Sequence, residues 1–315
     1  MNVFVSTHPF GHDCPQAVSV LKENGLKVKL NPFERKLTHD ELAPFLKDVH
    51  YLIAGTEGIN EAVLSRASHL RFISRVGAGL DKIDFTALKK RGIRLAYTPS
   101  GPTRAVAELT LGLLLDCARS FSRADRNLRQ GHWHRIVGSS LENKTVGIIG
   151  LGRIGKALSK LLQPLGMRIL ANDIMPDVGF ASELGIRFVE KETIYQESDF
   201  LSLHVPLTEL TQHLIRWEVL KKMKKQAWLI NTSRGEVVYE DDLARALKQK
   251  VISGAALDVY HKEPYHGDLI KLENVILTCH MGSCTTESRI LMEKGASDEV
   301  VRFHQGRSLL NEVVL

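Results

Sequence analysis

The sequence predicts an α/β protein made of two doubly wound parallel-sheet domains. Three observations predict it. Short apolar runs alternate with stretches of helical periodicity along nearly the whole chain, the pattern of parallel strands joined by helical crossovers. The alternation falls into two series separated by one long helical stretch. In the second series, one apolar run ends in a Gly-x-Gly-x-x-Gly loop placed directly before a helix. At 315 residues the chain has room for two domains of about 150 residues each, with cores that need no disulfide or metal staple.

The elements follow in order. NVFVS (2–6) reads as a strand and residues 14–25 as a helix closed by Gly25. KVKL, YLIA and RFIS read as further strands, with helical stretches between them. This unit repeats to about residue 98 and defines a first domain, 1–98, which the C-terminal helical stretch 286–315 is expected to complete. Residues 102–130 read as one long helix starting at Pro102. Val106, Leu109, Thr110, Leu113, Leu114 and Cys117 recur at i, i+3, i+4 spacing and make one apolar stripe. The second domain, 99–285, is the larger. TVGIIG (145–150), RILAND (168–173), DFLSLHV (199–205), AWLINT (227–232), ISGAALDV (252–259) and ENVILTCH (273–280) read as its strands.

Composition narrows the function. The chain is 43% hydrophobic and 25% charged, which excludes a disordered or disulfide-dense protein. The net charge of +6 suits a small anionic ligand. The basic residues are scattered, so no nucleic-acid partner is expected. Lys221, Lys222, Lys224 and Lys225 read as the solvated end of a helix. Cys14, Cys117, Cys279 and Cys284 have neither CxxC nor zinc spacing, so no metal is expected and reduced thiols in the cytoplasm are. The N-terminus has no secretory signature. The most apolar segment, LTLGLLLDCA, is broken by Asp116, and no run approaches about 18 apolar residues, so no membrane partner is expected either.

The sharpest motif is TVGIIGLGRIGKAL. Gly150 permits the tight turn, Gly152 lets the backbone approach a pyrophosphate, and Gly155 lets the helix pack against the strand. The helix start at Arg153 and Ile154 offers free N–H groups and the positive end of the helix dipole to phosphate. Asp173 ends the next strand, 18 residues past Gly155, where a carboxylate accepts hydrogen bonds from an adenosine ribose. It would repel a 2′-phosphate, and no arginine follows it within IMPD. The larger domain is therefore read as a Rossmann domain that binds NAD in preference to NADP.

Seven segments in order resemble the D-2-hydroxyacid dehydrogenases, and within them the phosphoglycerate dehydrogenase branch: RVGAGLDKID (75–84), TRAVAELTLGLLL (103–115), TVGIIGLGRIG (145–155), LHVPLT (203–208), INTSRGEVV (230–238), AALDVYHKEP (255–264) and ILTCHMGS (276–283). The resemblance implies an NAD-dependent oxidoreductase, a homodimer, and a small anionic 2-keto or 2-hydroxy acid as substrate. It implies three catalytic residues. His280 would give the proton to the keto oxygen. Glu263 would hold the other ring nitrogen, its charge favouring imidazolium. Arg234 would bind the substrate carboxylate and polarise the carbonyl. It also implies cofactor contacts from Val205, Pro206, Thr232, Ser233, Asp258 and Gly282. The loop formed by Arg75, Val76, Gly77 and Ala78 would bind the substrate carboxylate through backbone N–H groups.

Departures from the family pattern bear on the substrate. Cys279 stands where the family usually has proline. Gly55 stands where phosphoglycerate dehydrogenases carry an arginine, and no regulatory C-terminal domain is expected beyond residue 315. Arg75, Arg104 and Arg135 are the candidates to replace the missing cation. For Arg75 the other reading is a brace that stabilises its loop. The expected reaction is oxidation of 3-phosphoglycerate or reduction of glyoxylate or hydroxypyruvate. A rival reading is an NAD-sensing scaffold, since the related C-terminal binding protein corepressors keep the same three residues.

Overall fold

Two parallel sheets organise the chain, each inside its own unit. The computed structural model describes residues 1–314. One unit is Met1–Pro102 together with the chain from Ser283 onward, and the other is Thr103–Gly282. Along the first unit run β1 (Asn2–Val5), α1 (Pro15–Glu23), β2 (Lys27–Leu30), α2 (His39–Leu42), β3 (Tyr51–Ala54), α3 (Glu61–Leu64), β4 (Phe72–Arg75), α4 (Phe85–Arg91) and β5 (Arg94–Tyr97). The second unit holds α5 (Thr103–Arg119), α6 (Phe121–Arg129), β6 (Thr145–Ile149), α7 (Arg153–Leu162), β7 (Arg168–Asn172), α8 (Val178–Glu183), β8 (Arg187–Phe188), α9 (Lys191–Glu197), β9 (Phe200–Leu203), α10 (Trp217–Leu220), β10 (Trp228–Asn231), α11 (Glu240–Lys248), β11 (Gly254–Leu257) and β12 (Val275–Leu277). The chain then returns to the first unit with α12 (Thr286–His304) and β13 (Glu312–Val313).

The first sheet has the order β13-β5-β4-β3-β1-β2, all parallel except β13, which runs antiparallel to β5. Its central strands, YLIA and FISR, are buried at every position, as strands covered on both faces must be. One face packs on Leu42, Leu46, Leu64 and Leu88. On the other face, Met292, Ala296, Val300 and Val301 of α12 join Val3, Val5, Leu21, Ile53 and Phe72. The returning helix is therefore part of this core. Its start is capped by Thr285, whose side chain accepts the Ser288 N–H at 3.1 Å.

The second sheet has the order β12-β11-β10-β9-β6-β7-β8, parallel throughout. The strand order reverses between β6 and β9. At such a switch point the two neighbouring loops leave in opposite directions and open a crevice at the carboxyl ends of the strands.

The structure corrects the long helix expected over 102–130. The chain breaks at Ser120, which has φ +53. The Asp116 carboxylate accepts the Ser122 N–H at 3.0 Å and its carbonyl accepts the Ser120 N–H at 2.6 Å. These contacts close α5 and restart the chain as α6. The stripe lies on α5, where Val106, Thr110, Leu113, Leu114 and Cys117 are buried, whereas α6 buries no residue. Two short strands, β8 and β13, lack any run long enough to show a period. Of the lysines after α10, Lys221, Lys222 and Lys225 are exposed, Lys222 pairing with Glu192, whereas Lys224 is half-buried and pairs with Asp199.

Candidate active site

The glycine loop sits at the switch point because β6 ends there. Gly150 has φ +96, and a Cβ on it would stand 2.3 Å from the His204 carbonyl oxygen. A Cβ on Gly155 would stand 2.3 Å from the Gly150 carbonyl oxygen, so α7 lies close over the loop. Gly152 differs: nothing lies within 4 Å of where its Cβ would be. A side chain there would enter open space in front of the helix start. No side chain caps α7, and its first turn carries no acid. The N–H groups at Arg153 and Ile154 are thus left for an outside anion, and the cradle fits a dinucleotide pyrophosphate. Asp173, just past β7, accepts the Leu151 N–H at 2.7 Å and the Met175 N–H at 2.8 Å. Its carboxylate is fixed beside the loop, with lone pairs left over for ribose hydroxyls. Val205 and Pro206 follow β9 at the same crevice.

Arg234 is set by the turn after β10. The Asn231 side chain accepts the Ser233 N–H at 3.0 Å and the Ser233 hydroxyl at 2.8 Å, and donates to the Arg234 carbonyl at 2.8 Å. The Arg234 guanidinium donates to the Ser233 carbonyl at 2.6 Å. The next residue must be glycine, since a Cβ on Gly235 would lie 1.9 Å from the Tyr260 carbonyl carbon. That approach brings the β10 turn against the segment carrying Glu263. Thr232 is tied back to α5 through Thr110, with the hydroxyl oxygens 3.0 Å apart.

Glu263 and His280 meet directly. His280 Nδ1 lies 3.0 Å from Oε1 and 2.9 Å from Oε2 of Glu263. An ionised carboxylate only accepts, so Nδ1 carries the hydrogen and donates. Nε2 is then the nitrogen left to exchange a proton with a ligand, on a ring whose side chain is 41% exposed. Oε1 of Glu263 also accepts the Tyr260 N–H at 3.2 Å.

Asp258 is placed one layer below His280. His280 has φ +51, a conformation costly for a residue with a Cβ. Its N–H donates to the Asp258 carbonyl at 2.8 Å. The Asp258 carboxylate, 1% exposed, accepts from the Thr278 hydroxyl at 2.6 Å, the Met281 N–H at 2.9 Å and the Gly282 N–H at 2.8 Å. The buried carboxylate clamps the turn on which His280 stands. Thr278, Asn231 and Tyr260 take part in this support, and none is singled out by the sequence. Their residue types are ordinary ends of strands, and only the fold brings them under the site.

In the first unit, the contacts of Arg75 favour the second of its two expected roles, the brace. It is 4% exposed, and its guanidinium donates to the Gly79 carbonyl at 3.2 Å and the Glu57 carbonyl at 3.0 Å. It braces the loop from inside. Val76 and Gly77 are also committed. The Val76 N–H donates to the Ala54 carbonyl at 2.8 Å and the Gly77 N–H to the Thr98 hydroxyl at 2.7 Å. Within the loop, Ala78 and Gly79 hold the N–H groups that bond nothing among the described residues. A Cβ on Gly55 would meet the Thr7 hydroxyl at 2.5 Å and the Glu57 carboxylate at 3.0 Å, so no cationic side chain fits there. In the second unit, Arg104 pairs with Glu108 at 2.5 Å.

Comparison with known proteins adds to this geometry. Residues 111–282 match the family described as D-isomer specific 2-hydroxyacid dehydrogenase, NAD binding domain. The chain is 38% identical to a glyoxylate reductase of Korarchaeum cryptofilum, over 94% of this chain and 95% of that protein. It is 37% identical to a hydroxypyruvate reductase of Thermotoga maritima, over 84% of this chain and 87% of that protein. Among solved structures, D-lactate dehydrogenase from Aquifex aeolicus complexed with NAD and lactic acid is similar, with a TM-score of 0.87 and 28% identity over 100% of this chain and 99% of that one.

Proposed function

Since the chain belongs to the D-isomer specific 2-hydroxyacid dehydrogenases and is an NAD-dependent oxidoreductase acting on CH–OH donors, we propose that it reduces glyoxylate and hydroxypyruvate through Arg234, Glu263 and His280. NAD, when bound, supplies or accepts the hydride. The observation that carries the reading is the two-oxygen grip of Glu263 on His280 Nδ1. It orients the ring and fixes the hydrogen on Nδ1, which leaves Nε2 to deliver a proton to the keto oxygen as negative charge develops there. In the reverse direction Nε2 takes the hydroxyl proton. Arg234 binds the substrate carboxylate and draws charge from the carbonyl.

Gly150, Gly152, Arg153, Ile154 and Gly155 would hold the pyrophosphate and Asp173 a ribose. Val205, Pro206, Thr232, Ser233 and Gly282 would line the same nucleotide. A carboxylate at 173 repels a 2′-phosphate, so NADH is expected to give a higher kcat/KM than NADPH. In the first unit the free N–H groups of Ala78 and Gly79 would receive an anionic oxygen, with Arg75 holding their loop.

Hydroxypyruvate is preferred to its 3-phosphate in this reading. The site where a cation would be needed is closed at Gly55, and Arg75 is turned to backbone carbonyls. NADH consumption over glyoxylate, hydroxypyruvate and 3-phosphohydroxypyruvate tests it. Turnover is expected on the first two and weak on the third. No turnover on any of them would favour the scaffold reading. We also propose a homodimer, with α6 and the segment after it covered by a second copy, and a cytoplasmic setting that keeps the four cysteines reduced. No helix among the described residues is long and apolar enough to cross a membrane.

A further inference from the structure

One half-buried histidine at the switch point has no part in the proton transfer. His204 directly follows β9, and β9 is the strand that flanks β6 where the order reverses. Its N–H donates to the Ile149 carbonyl at 2.8 Å, and its own carbonyl packs on Gly150. His204 is thereby anchored to the first glycine of the nucleotide loop. In the side chain, Nε2 lies 2.8 Å from the Ser202 hydroxyl oxygen, whereas Nδ1 is buried and has no partner among the described residues.

The tautomer follows from counting protons. Ser202 is fully buried, and among the described residues its hydroxyl has no acceptor except His204 Nε2. If Nε2 carried the ring hydrogen, two atoms would be orphaned, the serine proton and the Nδ1 lone pair. With Ser202 donating to Nε2, the hydrogen sits on Nδ1 and one donor alone is unmet. Burial holds the ring neutral by lowering its pKa to about 4, so this donor is present throughout the neutral range. An unmet buried donor is costly, and a retained one implies a partner that arrives with a ligand.

We propose that His204 Nδ1–H donates a hydrogen bond to an oxygen of bound NAD, a ribose hydroxyl or a pyrophosphate oxygen, and so belongs to the cofactor site. Nothing in the proton-transfer chemistry requires it. Its role is to read the presence of the dinucleotide at the point where β6 and β9 diverge.

Two measurements test this. The first is NADH affinity by calorimetry, without substrate. Asparagine places its amide nitrogen close to the position of Nδ1, and glutamine reaches instead toward Nε2. His204→Asn is expected to keep the NADH Kd within about threefold and His204→Gln to weaken it about tenfold, the loss of one ordinary hydrogen bond. Wild-type affinity in His204→Gln, or the same loss in both variants, overturns the proposal. The second needs no variant to fold well. Nitrogen-15 spectra of the ring, assigned by labelling histidine, should show Nδ1 protonated in the free protein and shifted when NAD+ is added. ADP reproducing the shift places the oxygen in the pyrophosphate or the adenosine ribose. A shift with NAD+ alone places it in the nicotinamide half. An unprotonated Nδ1, or no shift with either ligand, assigns the atom to a trapped water and overturns the proposal.

Discussion

At the residue scale, His280 and Glu263 work as one unit whose parts fail differently. His280→Ala removes the proposed proton carrier and should lower turnover roughly 10²–10⁴-fold. NADH binding, measured by calorimetry, should persist because the glycine loop is untouched. Glu263→Gln keeps the shape but removes the carboxylate that fixes the hydrogen on Nδ1. Turnover should fall while the NADH Kd stays at the wild-type value. Wild-type turnover would separate Glu263 from the proton transfer. His204 carries a pH effect of its own. Burial lowers its pKa from 6.5 to about 4, so between these values the unfolded chain binds a proton that the folded chain refuses. Its stabilising contribution is complete above pH 6.5 and falls as the pH drops toward 4, by on the order of 3 kcal/mol at the limit. Thermal melts across that window should be steeper in the wild type than in His204→Gln. Equal slopes would mean that the ring is hydrated in the folded state.

At the element scale, the site depends on strand ends that are pinned from below. The β11–β12 end is the clearest case. Asp258 satisfies Thr278, Met281 and Gly282 and so holds the positive-φ turn at His280. Asp258→Ala strands the Met281 and Gly282 N–H groups, at about 1–3 kcal/mol for each group left unsatisfied. A melting midpoint lower by several degrees and a kcat loss approaching that of His280→Ala are expected. Full activity in Asp258→Ala would show that the turn holds itself. The elements also explain how much of this was legible. The apolar strands and the α5 stripe showed plainly, because buried parallel strands and amphipathic helices print their periods on the sequence. The break at Ser120 did not show, because a helix end closed by one aspartate resembles any polar helical turn. Arg75 was ambiguous for a related reason. An arginine beside a glycine loop reads equally as a ligand or as a brace until its carbonyl partners are placed.

At the scale of the whole molecule, two features go beyond any one element. The first unit is discontinuous, and its core is completed by α12, some two hundred residues after β5. The second is the exposure of α6 and the segment after it. No residue of α6 is buried, and Trp133 and Val137 beyond it are 84% and 96% exposed. Apolar surface of that extent is costly in water, and a second copy of the chain is the partner proposed for it. Sedimentation should give a dimer for the wild type. Trp133→Glu should shift it toward monomer while leaving the melting of the glycine-loop unit unchanged. A wild-type monomer would refute the dimer and leave the exposed segment unexplained.

The sequence by itself determined the two parallel sheets and the glycine loop, and through Asp173 and the family motifs it supplied the residues proposed for the site, Arg234, Glu263 and His280 among them. Each depends on local chemistry: a period, a turn that tolerates only glycine, or a motif short enough to read in one line. Tertiary structure alone decided which groups still have bonds to give. Gly77 is committed to Thr98, Arg75 to the carbonyls of Glu57 and Gly79, and Asp258 to the turn beneath His280. Ala78, Gly79 and His204 Nδ1 have no partner among the described residues. Hydrogen-bond partners tens or hundreds of residues apart are set by strand order and close backbone approach, and neither leaves a mark at the position of the residue it binds.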